Sequence, residues 1–189
     1  MKIFTSLFVI IFLALSLNAQ AQEVNPNWKT ELASSVESFK SCTGEVVNYV
    51  DPCSKFAGES VNTVYKVNDF YSQDRKRYLT GSEIAGFLAE SAKWSKLGAA
   101  SSQETLNAAQ KAANENKAVV AVFADAQGIG NMALILPGST NPSGSWGLSV
   151  PNSAAFFMNS KGRSYSDKGL SYAFSKSMLD QVIIYIRSY

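Results

Sequence analysis

Ala118-Val119-Val120-Ala121-Val122-Phe123 is followed, after a short polar interval, by Gly130-Asn131-Met132-Ala133-Leu134-Ile135-Leu136-Pro137-Gly138, and this stretch decides the fold class. Each apolar run is short, carries β-branched residues and is bounded by polar or turn-forming residues, the pattern of a buried strand. Asp125-Ala126-Gln127-Gly128 supplies a turn between the runs, and Pro137-Gly138 stops the second. The two therefore read as an antiparallel pair. Further on, Ser139 to Ser145 is a polar loop punctuated by Gly and Pro. Trp146–Val150, Ala154–Met158 and Val182–Ile186 are three more strand candidates.

Toward the N-terminus the apolar period changes to that of a helix. Trp28, Leu32, Val36 and Phe39 share one face of a helix over 28–40. A second helix is expected from Pro52 to about Tyr65, with Phe56, Ser60, Val61 and Val64 inward. Thr80-Gly81-Ser82-Glu83 is a capping-box pattern opening a third, read as running through Ile84, Phe87, Leu88 and Trp94 until Gly98 stops it. Ser101-Ser102-Gln103-Glu104 opens a fourth, alanine-rich helix ending near Asn116. Helices come first and a sheet follows, with no βαβ alternation and no internal repeat. The class is α+β.

Residues 1–21 read as a signal peptide. Lys2 is its positive end, Leu7 to Leu15 its apolar run, and Ala19-Gln20-Ala21 a small-x-small cleavage pattern. The apolar run is shorter than the roughly 20 residues that a spanning helix needs. An exported chain beginning near Gln22 is expected, secreted or periplasmic, with a helical segment over 22–50 and a main domain over 51–189. With 17 Lys and Arg against 15 Asp and Glu, the net charge is +2, and setting Lys2 aside brings it to about +1. That balance removes the electrostatic basis for nucleic-acid binding. Asp125, Asp167 and Asp180 lack metal-ligand spacing, and no metal or cofactor is expected.

Asp51-Pro52-Cys53-Ser54-Lys55-Phe56-Ala57 reads as a helix start: Asp51 is a cap and Pro52 suits the first position. A thiol placed there lies in the field of the helix N-terminus, which favours thiolate. This is the setting of a cysteine nucleophile, yet the chain contains no histidine. No imidazole can take the proton or return it to a leaving group. Cys42 lies eleven positions before Cys53. An even cysteine pair in an exported chain is also read as a disulfide, so a bridged and a free Cys53 both stand.

A helical cysteine ahead of an antiparallel sheet resembles the papain-like NlpC- and CHAP-type cysteine amidases and endopeptidases, and within them the peptidoglycan amidases related to type VI secretion effectors. The resemblance runs from about Asp51 to Arg187. It is carried by Pro52-Cys53-Ser54-Lys55-Phe56, Tyr78-Leu79-Thr80-Gly81-Ser82-Glu83-Ile84, the two strand runs quoted first, Trp146-Gly147-Leu148-Ser149-Val150-Pro151 and Lys168-Gly169-Leu170-Ser171-Tyr172-Ala173-Phe174. It implies a papain-like fold and peptidoglycan peptides as partners. In active members of that group a Gly-His pair begins the strand that ends in Pro-Gly, and that histidine is the general base. Here the pair is Gly130-Asn131, and an asparagine amide does not titrate near neutral pH. The group's third, orienting polar residue lies on the following strand, where Ser149 and Asn152 are the candidates.

Among the aromatic residues, Trp94, Trp146, Phe156, Phe157 and Tyr172 read mainly as core, and Trp146, beside Gly147 and just after a loop, is the candidate groove residue. Three function classes remain. The first is a degenerate amidase that binds wall peptide or a protein partner. The second is an amidase still using Cys53. The third is a non-catalytic exported domain stabilised by a Cys42–Cys53 bond.

Overall fold

The computed structural model describes residues 23–46, 50–124 and 130–189. The signal-peptide segment and the Asp125–Gly128 turn lie outside the described residues. Among the described residues, four α-helices precede most of the sheet. Helix α1 (Trp28–Ser41) buries Trp28, Leu32, Val36 and Phe39, the stripe that its period requires. A 3-10 turn over Pro52–Ser54 runs into α2 (Lys55–Tyr65), which ends at Lys66 in the left-handed conformation. A short hairpin, β1 (Tyr71–Ser72) with β2 (Arg77–Tyr78), leads to α3 (Gly81–Glu90). Strand β3 (Trp94–Ala99) precedes α4 (Gln103–Asn114), whose cap is Ser102. The capping box at α3 forms as its sequence implies: Thr80 N–H donates to Glu83 Oε2 at 2.8 Å, and Glu83 N–H donates to Thr80 Oγ1 at 3.3 Å.

The remaining elements are β4 (Val119–Ala124), β5 (Gly130–Ile135), β6 (Asn141–Ser143), β7 (Leu148–Val150), β8 (Asn152–Ala155), β9 (Tyr165–Gly169) and β10 (Ile183–Arg187). Six of the strands form one sheet in the order β3-β10-β4-β5-β8-β9, with antiparallel neighbours. The pair that decides the class is in register Val120↔Leu134 and Ala121↔Ala133. The chain is α+β.

Both faces of this central pair are covered, which explains why its sequence is continuously apolar instead of alternating. Val120, Val122, Met132 and Leu134 pack with Leu32, Phe39, Tyr65, Ile84 and Leu88 beneath α1, α2 and α3. Val119, Ala121, Ala133 and Ile135 pack on the other side with Leu106, Ala109 and Ala113 of α4, and with Trp146 and Leu170. Fully burying one large apolar side chain contributes about 1.5–3 kcal/mol, so these two layers dominate the stability of the fold.

The third helix is shorter than its apolar spacing implies. It ends at Glu90, where Ser91 turns extended, and Trp94 belongs to strand β3. Two tertiary contacts outweigh helical continuation. Trp94 stacks on Phe70 with ring centres 5.2 Å apart, and the strand pairs with β10 from Arg187↔Trp94 to Ile183↔Ala99. Gly98, expected as a helix stop, lies inside that strand. A Cβ there would sit 2.4 Å from Thr105 Oγ1, so α4 approaches the strand closely only because the residue is glycine. The polar loop over 139–145 contains β6, which pairs with β7 as a separate ribbon. Strand β9 and the β1–β2 hairpin are further elements that the apolar pattern does not announce. Tyr165-Ser166-Asp167-Lys168-Gly169 is an edge strand with only its ends buried, too polar to read as a strand.

Candidate functional site

The first turn at Cys53 is built by its neighbours. Asp51 Oδ1 accepts the Cys53 N–H at 2.7 Å, and Pro52 occupies the position where no N–H is needed. Cys53 is 1% exposed at the foot of α2. Its sulfur is bonded to Cys42, just past the end of α1, with the two Cα atoms 6.0 Å apart. A disulfide sulfur has no proton to lose and no thiolate to attack with, so in this state Cys53 is not a nucleophile. The bridge ties the C-terminal end of α1 to the N-terminal end of α2. It also fits an oxidising compartment.

Asn131 stands at the second position of β5, opposite Phe123 of β4. It is brought to Cys53: both line one cavity of about 30 Å3, with Ser54, Ala57, Gly81, Gly130, Met132, Phe156 and Met158. Gly130 is a wall residue there for a steric reason. A Cβ on Gly130 would lie 3.0 Å from the Phe123 carbonyl oxygen and 3.1 Å from that of Gly81, so both backbone carbonyls would have to give by a few tenths of an ångström. The cavity holds about one water-sized body. An amide can donate and accept hydrogen bonds inside it, but it cannot exchange a proton at neutral pH.

Ser54 also lines a larger groove of about 730 Å3, bounded by Val50, Pro52, Tyr71 and Tyr78 and by Glu45, Asp51, Lys55, Glu59, Arg75, Lys76 and Arg77. The two tyrosine rings meet edge to face, 5.2 Å apart. On the rim, Arg77 donates two hydrogen bonds to Glu83, each at 2.7 Å, and Arg75 also contacts that carboxylate. The Arg77 hydrogen bonds, aided by the Thr80 N–H, hold the Glu83 carboxyl down at about 2, against the smaller opposing effect of burial. The Arg75-Lys76-Arg77 cluster is therefore a turn with both arginines paired to Glu83, not a free basic patch.

Ser149 and Asn152 are not brought to Cys53 and Asn131. The antiparallel pairing of β8 with β5 carries Asn152 to the far end, where its carbonyl accepts the Leu136 N–H at 2.9 Å. Its side chain donates to Asp167 Oδ1, and its own N–H donates to Gln110 Oε1 at 2.8 Å. Ser149 lies on the separate β6–β7 ribbon, and its N–H and carbonyl are both bonded to the Gln103 side chain at 2.9 Å. The end of β8 nearer to Asn131 continues into Phe156 and Met158, so that wall of the cavity is apolar. Trp146 is also displaced from the proposed role. It is 3% exposed, packs in the core under α4, and donates its indole N–H to the Phe174 carbonyl at 3.1 Å.

One residue at the site has no signal in the sequence. Lys161, in the irregular turn after β8, places Nζ 3.3 Å from Cys53 Sγ and 2.7 Å from the Cys42 carbonyl oxygen. Sequence separation of 108 residues hides the pairing. Among the described residues no group of three His, Cys, Asp or Glu side chains is placed to hold a metal ion, and no helix is long and apolar enough to cross a membrane. No protein-family model and no curated protein matches this chain.

Proposed function

We propose that this chain is an exported, catalytically degenerate member of the papain-like amidase group, which binds a cell-wall peptide or a protein partner without hydrolysing it. One observation carries the reading: Cys53 and Asn131 share a cavity at the foot of α2, while the Cys53 sulfur is tied to Cys42. The positions of nucleophile and base are kept together. The proton chemistry is missing at both, because one sulfur is bridged and the other side chain does not titrate near neutrality. Losing general acid–base catalysis alone typically costs ~10²–10⁴-fold.

The neighbouring groove fits a short peptide that carries both amines and carboxylates. Two tyrosines give it an apolar wall, and Lys55, Arg75, Glu45 and Glu59 give it charges of both signs. The reading is tested by titrating purified muropeptides into the oxidised protein by calorimetry, alongside a pull-down with intact sacculi. Saturable binding without release of new amines is the expected result. Absence of binding in both assays removes the wall-peptide version.

A second reading is favoured by the bridge itself. It joins the ends of two core helices and would stabilise an exported interaction domain that has no wall ligand. Retained stability with no muropeptide binding would select it.

A further inference from the structure

We propose that the Cys42–Cys53 bond is a directional thiol–disulfide exchange site, at which an external dithiol attacks Cys42 and Cys53 leaves as a thiolate held by Lys161. The two sulfurs differ in access. Cys42 is partly exposed just beyond the end of α1, whereas Cys53 is 1% exposed. They differ also in what faces each sulfur as it leaves. Exchange is faster when the departing sulfur makes the more stable thiolate. At Cys53 that charge forms 3.3 Å from the Lys161 ammonium and at the first turn leading into α2, and the Asp51 carboxylate, which accepts the Cys53 N–H at 2.7 Å, is the like charge that the lysine offsets there. Lys161 is anchored independently of the sulfur, because it donates to the Cys42 carbonyl oxygen at 2.7 Å and lies 5.8 Å from the Phe39 ring centre. The cation is therefore in place before the charge appears.

The step balances without any group beyond the dithiol. One thiolate of the reductant bonds to Cys42 Sγ, the Cys42–Cys53 bond breaks, and its electron pair stays on Cys53 Sγ. The second thiolate of the reductant then attacks its own sulfur in the mixed disulfide. Cys42 leaves with the electron pair and takes a proton from water. The dithiol ends as a disulfide, and the protein gains two electrons. Exchange frees Cys53 at the wall of the cavity that it shares with Asn131. This proposal does not depend on what the neighbouring groove binds.

The test uses the intact oxidised protein, exposed to glutathione, quenched with acid and an alkylating agent, and mapped by peptide mass. Glutathione on Cys42 with a newly alkylated Cys53 is the expected pattern. Glutathione on Cys53, or reduction seen only in denaturant that unfolds the chain, overturns the proposal. A second measurement isolates Lys161. In Cys42→Ser, the pH midpoint of Cys53 alkylation should fall below the ordinary thiol value of about 8.5. Lys161→Met should raise that midpoint by about one unit and slow reduction of the native bridge by dithiothreitol about threefold, while Lys161→Arg should keep both near the parent values. Equal midpoints with and without the lysine overturn the role assigned to it.

Discussion

Gly81, the first residue of α3, lies so close to Gly130, the first residue of β5, that a Cβ on Gly81 would sit 2.6 Å from the Gly130 carbonyl oxygen. This contact seats the capped end of the helix against the strand that carries Asn131. Gly81→Ala must push helix and strand apart, and should cost about 1–3 kcal/mol as an overpacking substitution. Gly86, in the same helix, faces open space: a Cβ there would meet nothing within 4 Å, so Gly86→Ala should instead stabilise by about 0.5–1 kcal/mol. Thermal unfolding of the two variants should therefore shift Tm in opposite directions. Equal shifts would show that the Gly81–Gly130 contact does not govern the packing.

The bridge closes a loop between residues eleven apart in sequence. In the chain-entropy account, replacing both cysteines by Ala should remove about 2–3 kcal/mol of stability. Urea unfolding of Cys42→Ala/Cys53→Ala against the oxidised parent reads this directly. A double variant as stable as the parent would leave the bridge with no structural role.

Glu83 provides a pH signature. Its carboxyl is lowered to about 2 from the ordinary 4.5, chiefly by the Arg77 hydrogen bonds. The folded state thus favours the ionised form. The stabilisation is fully present above about pH 4.5 and fades as pH falls through about 2. Because the pair is partly exposed, Glu83→Gln should cost about 1–2 kcal/mol at neutral pH after allowance for solvent screening. The difference in Tm between parent and variant should narrow steadily from about pH 5 to about pH 2. A gap that stays constant over that range would remove the electrostatic explanation.

Trp146 separates core from groove. Trp146→Phe keeps an aromatic ring but leaves the buried Phe174 carbonyl without its donor, which should cost about 1–3 kcal/mol. Muropeptide affinity of the folded variant should stay at the parent value. A large loss of affinity with unchanged stability would return Trp146 to a binding role.

On the proposed amidase reading, Asn131 is the position where hydrolytic chemistry should be recoverable. In Cys42→Ser/Asn131→His the Cys53 sulfur is free and an imidazole faces the shared cavity. Amine release from sacculi should rise ~10²–10⁴-fold over Cys42→Ser alone, and disappear again when Cys53→Ala is added. If the double variant folds and remains inactive, the papain-like alignment of Cys53 with Asn131 is wrong.

The sequence was most legible where one local rule applied without competition. The caps at Asp51 and Thr80, the stripe of α1 and the paired β4–β5 runs all follow from spacing and residue type, whereas the cap of α4 falls at Ser102, one residue past the Ser101 that opens its Ser-x-x-Glu pattern. It misled at Trp94, where helical spacing continued but stacking on Phe70 and pairing with β10 fixed a strand. It was silent on β9, whose polar edge carries no apolar alternation. Of the candidate site residues, Cys53 and Asn131 come to line one cavity, whereas strand register, which residue type does not encode, carries Ser149 and Asn152 elsewhere.

By itself, the chain determined that helices precede a sheet, that α2 begins just beyond a capped cysteine, and that no histidine is available as a base. Those are local facts, set by periodicity, capping and composition. Tertiary structure alone decided that Cys53 is bridged to Cys42, that Lys161 stands beside its sulfur, and that Trp146 is core. Each of these depends on how far apart two segments lie once both faces of the sheet are buried, and residue type and local spacing do not encode that distance.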